Sequence, residues 1–204
     1  MGRARDLANI LSSSGNVALD SELGLSLITP TSIAATGGSG SISATGAVSF
    51  SGCTAISLNG CFNSTYDNYK IIVEGTKSTN NAVYMRYRAS GVDTPTTGSL
   101  HGNAYIRNTG STAAISVSAS NLDYFDFLGT TDSQSYFLDM SVNDPFTTNN
   151  TLSITNILNG LYATVQLVGT HWGRMPNSTT YDGITFFPST GNISGTIRVY
   201  GYRN

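Results

Sequence analysis

From Ala47 onward, apolar and polar residues alternate with a period of two in short runs separated by turn signals. Val83, Met85 and Tyr87 alternate with Tyr84, Arg86 and Arg88. Ile115 and Val117 alternate with Ser116 and Ser118, and Ile197 and Val199 with Arg198 and Tyr200. Each run needs one dry face and one wet face. The pattern predicts strands at 47–51, 54–58, 68–74, 82–89, 101–107, 113–118, 123–128, 134–142, 151–157, 162–171, 183–187 and 194–202. Gly91, Gly110, Gly129, Gly160, Gly173 and Gly191 fall between runs, where positive φ is cheap only for glycine. Two antiparallel sheets packed about 10 Å apart satisfy this alternation. The expected fold is all-β, an antiparallel β-sandwich, jelly-roll-like rather than an up-and-down barrel because the connections are long.

Residues 1–46 follow a different pattern. Leu7, Ile10 and Leu11 stand at helical spacing, enough for two or three turns before Ser12, Ser13, Ser14 and Gly15 end them. Isolated helices shorter than about 12–15 residues are marginal in water, so this apolar face needs a surface to lie on. Val17 to Ile33 is thinly hydrophobic, and Ala34 to Gly46 is small and polar and reads as a linker. The expected organisation is a docking peptide, helical or extended, with a flexible linker over 1–46 and a sandwich domain over 47–204. A frayed terminus packed on the body is the other reading.

Composition narrows the function. Ser, Thr, Asn and Gly fill 93 of 204 positions and glutamate occurs only at Glu22 and Glu74, which is a helix-poor alphabet. Charged residues make up 11% of the chain, under half the roughly 25% of ordinary soluble domains. The net charge is -2, so binding to nucleic acid or an anionic membrane through phosphate neutralisation is not expected. No apolar h-region follows Arg3 and Arg5, and no stretch approaches the roughly 18 apolar residues of a membrane span. A soluble protein made in a cytoplasm is expected. In that compartment Cys53 and Cys61, eight residues apart, favour two buried thiols over a hairpin disulfide. Lys70 and Lys77 are the only lysines, too few to guard the edges of a sheet, so a homo-oligomer is expected, a homotrimer if it stands on a symmetric scaffold.

Candidate chemistry is thin. The run Gly98-Ser99-Leu100-His101-Gly102 lacks the Gly-x-Ser-x-Gly spacing of a nucleophile elbow. Asp123 with Asp126, or Asp139 with Asp144, would be a glycosidase pair in principle, but they sit at turns and strand ends. His101 and His171 have no partner at metal-ligand spacing, and Asn143-Asp144-Pro145 has too few carboxylates for calcium. The Asn-x-Ser/Thr triplets at Asn63, Asn149, Asn177 and Asn192 are what this composition produces by chance. No enzyme activity, metal or other cofactor is expected. The 11 Tyr, 8 Phe and one Trp are more suggestive. Tyr66 and Tyr69 flank Asp67-Asn68, His171-Trp172 precedes Gly173-Arg174-Met175, and Tyr181 adjoins Asp182. Rings beside amides and carboxylates are a means of holding sugars, which makes Tyr66, Tyr69, His171, Trp172, Tyr181 and Asp182 candidate glycan contacts; core filling is the competing use.

The opening Met1-Gly2-Arg3-Ala4-Arg5-Asp6-Leu7-Ala8-Asn9-Ile10-Leu11 resembles the leader of virion structural proteins of tailed bacteriophages, particularly marine phages and cyanophages. The runs Tyr66 to Val73, Asp182 to Pro188 and Gly191 to Tyr202 are similar to a β-domain found in tail-fibre or virion proteins of such phages. The resemblance implies a place in a virion rather than an activity. It implies that Leu7, Ile10 and Leu11 bury against a neighbouring virion protein while Arg3 and Arg5 pair with its carboxylates, ordering on docking. The expectation is a non-enzymatic tail-fibre or tail-appendage component whose body contacts host surface glycan, many weak contacts adding up to avidity. A capsid decoration protein that stabilises the head shell is the alternative.

Overall fold

The computed structural model describes residues 24–79, 82–94, 100–107, 112–119, 123–127, 135–162, 165–175 and 179–202. Among them there is no helix. In chain order the strands are β1 (Ser26–Ile28), β2 (Ser32–Thr36), β3 (Ser39–Ile42), β4 (Val48–Cys53), β5 (Ala55–Asn59), β6 (Asn68–Lys77), β7 (Val83–Ala89) and β8 (Val92–Asp93). They continue as β9 (Leu100–Arg107), β10 (Thr112–Ala119), β11 (Phe125–Phe127), β12 (Ser135–Asn143), β13 (Thr151–Tyr162), β14 (Val165–Met175), β15 (Gly183–Pro188) and β16 (Ile193–Tyr202). All pairings are antiparallel.

The large sheet runs β10-β9-β14-β13-β12-β6-β16-β4-β3, with β1 also on β16. The small sheet runs β11-β7-β15-β5-β2, with β8 also on β7. The inner orders β4-β16-β6-β12 and β5-β15-β7-β11 are those of an eight-stranded jelly roll, the chain crossing from one sheet to the other along two Greek keys. Two hairpins are added to that body. β9–β10 follows the β7–β8 hairpin and β13–β14 follows β12, and together they add four strands to the large sheet.

The alternation places the core between the layers. Across the large sheet, Leu138, Val73, Ile197 and Val48 form one register row, and Met140, Ile71, Val199 and Ile28 the next. They face Ile56, Leu58, Met85, Tyr87, Phe125, Ile184 and Phe186 of the small sheet. Each such side chain is worth about 1.5–3 kcal/mol when removed from water. On the wet side of the same strands Lys70 pairs with Asp139, and Arg198 lies 3.8 Å from Glu74.

The stretch 34–46, expected as a linker, holds most of β2 and all of β3, and the described strands begin at Ser26 rather than near residue 47. Its small residues have a packing cause. β2 and β3 close one side of the sandwich, and Gly40 lies against the Ile33, Ala35 and Ile56 side chains, where an added Cβ would come within 3.1–3.4 Å of their methyl carbons. The composition that looks flexible is what lets two sheet edges meet. The strands β1, β2 and β3 carry Ile28, Ile33, Ala35 and Ile42 onto the core. A chain beginning at Ala47 therefore loses roughly 4 kcal/mol or more of stability, read as a lower urea midpoint than that of the full chain; an unchanged midpoint would show that these strands are dispensable.

Candidate functional site

The expected glycan contacts do not converge. Tyr69 is buried, its hydroxyl donating to the Asn63 carbonyl and accepting from the Asn63 N–H, both at 2.8 Å, and desolvation pushes its pKa up to about 12. Tyr181 is buried and stacks on Tyr87 with ring centroids 4.9 Å apart. His171 is buried on the inner face of β14. These three offer no face to a sugar, which corrects the expectation. Tyr66 is half-buried with its ring over Gly201, and the Asp182 carboxylate accepts from the Ser90 N–H at 3.2 Å. Trp172 is exposed, on the opposite face of β14 from His171. The docking candidates Arg3, Arg5, Leu7, Ile10 and Leu11 lie outside the described residues.

The groups weighed for catalysis are also accounted for. Asp123 is ion-paired with Arg86 and Asp139 with Lys70, while Asp144 occupies a turn at φ 52°. His101 and His171 are buried with ring centroids 5.6 Å apart, both edge-on to Phe125. Cys53 and Cys61 are free, buried thiols, and desolvation raises the pKa of Cys61 well above that of an exposed thiol, which leaves it protonated and inert.

The densest polar cluster lies instead on the outer face of the small sheet. The same alternation that sends Met85 and Tyr87 inward sends Arg86 and Arg88 outward from β7, beside Thr185 and Phe187 of β15 and Ser57 of β5. Arg88 is only 9% exposed. It donates from Nη1 to Ser57 Oγ at 3.0 Å and Thr185 Oγ1 at 2.8 Å, from Nε to Asn59 Oδ1 at 2.9 Å, from Nη2 to the Gly91 carbonyl, and from Nη1 to Asp93 Oδ1. Thr185 in turn donates to Asp93 Oδ1 at 2.6 Å. A two-residue turn brings Asp93 back over Arg88: Ser90 at φ 52° and Gly91 at φ 78° have the left-handed geometry that tight hairpins favour.

Beside this lock stands a ledge of rings. Tyr84 and Tyr124 stack at 4.1 Å, and both meet Phe187 edge-on. The Arg86 guanidinium lies 4.6 Å over the Phe187 ring while it donates to the Asp123 carbonyl at 2.7 Å and carboxylate at 2.6 Å. Desolvation raises the pKa of the Asp126 carboxyl and of the Tyr84 hydroxyl. Rings, a guanidinium and carboxylates presented on an outer sheet face can recognise a ligand by contact. The signal available in the sequence is Arg86-x-Arg88 followed by Asp93 across a Ser-Gly turn, which alternation alone marks only as a wet strand face.

No protein-family model matches the chain, and no curated protein matches it. Among solved structures it is similar to the crystal structure of a protein of unknown function from Shewanella oneidensis MR-1, at 10% sequence identity and a TM-score of 0.26, over 94% of this chain and 83% of that one. A likeness of that size carries no argument.

Two outcomes follow. Arg88→Met strands Asp93 and several hydroxyls, and is expected to cost about 3–5 kcal/mol in urea unfolding; a loss within 0.5 kcal/mol, about the range of ordinary surface substitutions, would refute the lock. Burial and the neighbouring His101 hold the pKa of His171 down to about 3. The unfolded chain protonates this imidazole as pH falls through about 6.5, the folded chain only near 3, so stability is lost as pH is lowered through that window, by up to about 1.4 kcal/mol per pH unit. The urea midpoint of the wild type is expected to drop between pH 7 and pH 4.5, and that of His171→Gln to drop less; equal slopes would remove His171 as the cause.

Proposed function

We propose that the chain is a non-enzymatic structural protein of a tailed-phage particle, a tail-fibre or tail-appendage component. In this reading residues 1–11 dock it to a neighbouring virion protein and the jelly roll presents its outer faces to the surroundings. The resemblance of Met1 to Leu11 and of the later β-runs to phage virion proteins supports the placement. The observation that carries a contact role is the ledge of Tyr84, Tyr124 and Phe187 with Arg86 and Asp123, on the outer face of the small sheet. Saccharide at a host surface fits that chemistry, since a ring can stack on the apolar face of a sugar while the guanidinium and carboxylate bond its hydroxyls.

The docking reading is tested by deleting residues 1–11. The shortened protein is expected to be produced folded and to be missing from purified particles that contain the full chain; incorporation at an undiminished level sinks the reading. A gold label on the full chain, located by electron microscopy, is expected at the tail, and a label spread over the head would favour decoration of the shell. Tyr124→Ala is expected to lower binding to a glycan array at least about tenfold, the loss of one stacked ring, while the protein stays folded with a stability loss of about 1 kcal/mol from the lost ring contacts; an array silent for the wild type would leave an architectural role alone.

A further inference from the structure

The chain has a single tryptophan, Trp172, and it stands on the outer face of β14, 42% exposed. Its register partner on β9 is Gly102, where an added Cβ would fall 2.5–2.7 Å from Cζ2, Cε2 and Nε1 of the indole. Only a residue without a side chain leaves that space. The indole is thus held down against the backbone of β9, and the rest of it is open to solvent. Two residues further along β14, on the same face, Arg174 stands between Leu152 of β13 and Leu100 of β9. The described ion pairs engage Lys70, Arg86, Arg88 and Arg198, and the one described cation–π contact belongs to Arg86. Among the described residues the Arg174 guanidinium has neither an ion pair nor a hydrogen-bond partner.

We infer that Trp172 and Arg174 form a subsite for an acidic saccharide, a uronate whose ring stacks on the indole while its carboxylate pairs with the guanidinium. Same-face neighbours on a strand lie about 6.8 Å apart, a span that a stacked pyranose with a carboxylate at its edge bridges. The indole offers an apolar platform for the C–H face of the sugar. A guanidinium binds a planar carboxylate through two parallel hydrogen bonds, which a neutral hydroxyl does not provide. The surroundings favour that pair. Leu152 and Leu100 flank Arg174 and thin the water around it, and lower local polarity strengthens the attraction. On the adjoining strand β12 the Asp139 carboxylate is held by Lys70, so it does not neutralise Arg174.

On the other side of the indole the next register row is Asn156, Thr170 and Ala104. Thr170 Oγ1 donates to Asn156 Oδ1 at 3.2 Å. That bond fixes the amide and leaves its Nδ2 to donate and the Thr170 hydroxyl to accept from a neighbouring sugar. The rows of Arg174, Trp172 and Thr170 cover about 14 Å along the strands, and β13, β14 and β9 about 10 Å across them. This is the footprint of a short oligosaccharide, and it is far below the roughly 800 Å² per partner of a specific protein interface. The subsite stands apart from the ring ledge, on the other sheet, and differs from it in charge: Arg86 is already paired with Asp123, whereas Arg174 is free for a ligand. Loss of either reading therefore leaves the other in place.

Because Trp172 is the only tryptophan, its fluorescence reads the site directly. The experiment titrates the full chain with short oligomers of glucuronate, galacturonate and mannuronate, each also as its neutral methyl ester, with far-UV circular dichroism to check folding. At least one acid oligomer is expected to change the emission saturably, and its ester to bind at least about tenfold more weakly. Arg174→Gln is expected to bind that acid at least about tenfold more weakly and to lose the preference for acid over ester. Trp172→Ala, read by calorimetry, is expected to lose about tenfold against both forms, and Tyr124→Ala on the ring ledge to bind as the wild type does. Should Trp172→Ala unfold, Arg174→Gln decides alone. The inference is overturned if no acid oligomer binds, if acid and ester bind the wild type equally, if Arg174→Gln keeps wild-type affinity, or if Tyr124→Ala weakens binding. An emission that red-shifts on dilution without ligand also overturns it, by giving this face to a second copy of the chain.

Discussion

The structure turns on a mismatch of width between its two layers. The small sheet has six described strands and the large one ten, and sheet faces stay dry only where another layer covers them. Where the layers oppose each other, Ile71, Val73, Met140, Ile197 and Val199 meet Ile56, Leu58, Met85, Ile184 and Phe186 in a continuous apolar core. Toward β13, β14 and β9 the inward residues include Thr151, Ser153, Thr155, His171 and His101, the imidazoles buried against Phe125 of the small sheet, while Ile157 and Met175 of the same strands stay in the core. Leu100, Leu152, Ile154, Val168 and Trp172 of those strands lie on the outer side, exposed.

A charged group shielded from water needs close partners, or it gives up its charge. Arg88 takes the first course: its guanidinium keeps its charge because Asp93, Ser57, Thr185, Asn59 and the Gly91 carbonyl surround it, and in doing so it ties β7, β8, β5 and β15 together. His171 takes the second course, remaining neutral between His101 and Phe125. Both are consistent with side chains that hold the body in shape. The ring ledge of Tyr84, Tyr124 and Phe187 lies on the outer face of the small sheet, beside the Arg88 cluster.

Much of the body was legible from alternation. Each of the twelve expected strands overlaps an observed one, because a strand with one covered face writes a period of two into its sequence. β1, β2, β3 and β8 were not legible. Ser32–Thr36 and Ser39–Ile42 are built of residues small enough to let two sheets close on each other, which in one dimension is the composition of a tether. The candidate site was less legible still. Neighbours in a strand face opposite sides, so His171 and Trp172 could never both reach one ligand, and Tyr69 and Tyr181 were drawn into the core by the layer above them. Tyr84 and Phe187 come from neighbouring strands and Tyr124 from the residue before β11, and they form a ledge only through the register Tyr84 to Phe187 and the placement of β11 on β7.

The residue order alone determined that the body is all-β, that it is layered, and which residues share a strand face. Those follow from local backbone geometry, which makes alternate side chains diverge whatever surrounds them. Which of the two faces is covered was decided only by the assembled sheets. In β4, β6 and β16 the apolar set faces the partner layer, whereas in β13 the set of Leu152 and Ile154 faces away from it. Alternation is symmetric between the two sides of a strand, and only what the assembled layers place over each side breaks that symmetry.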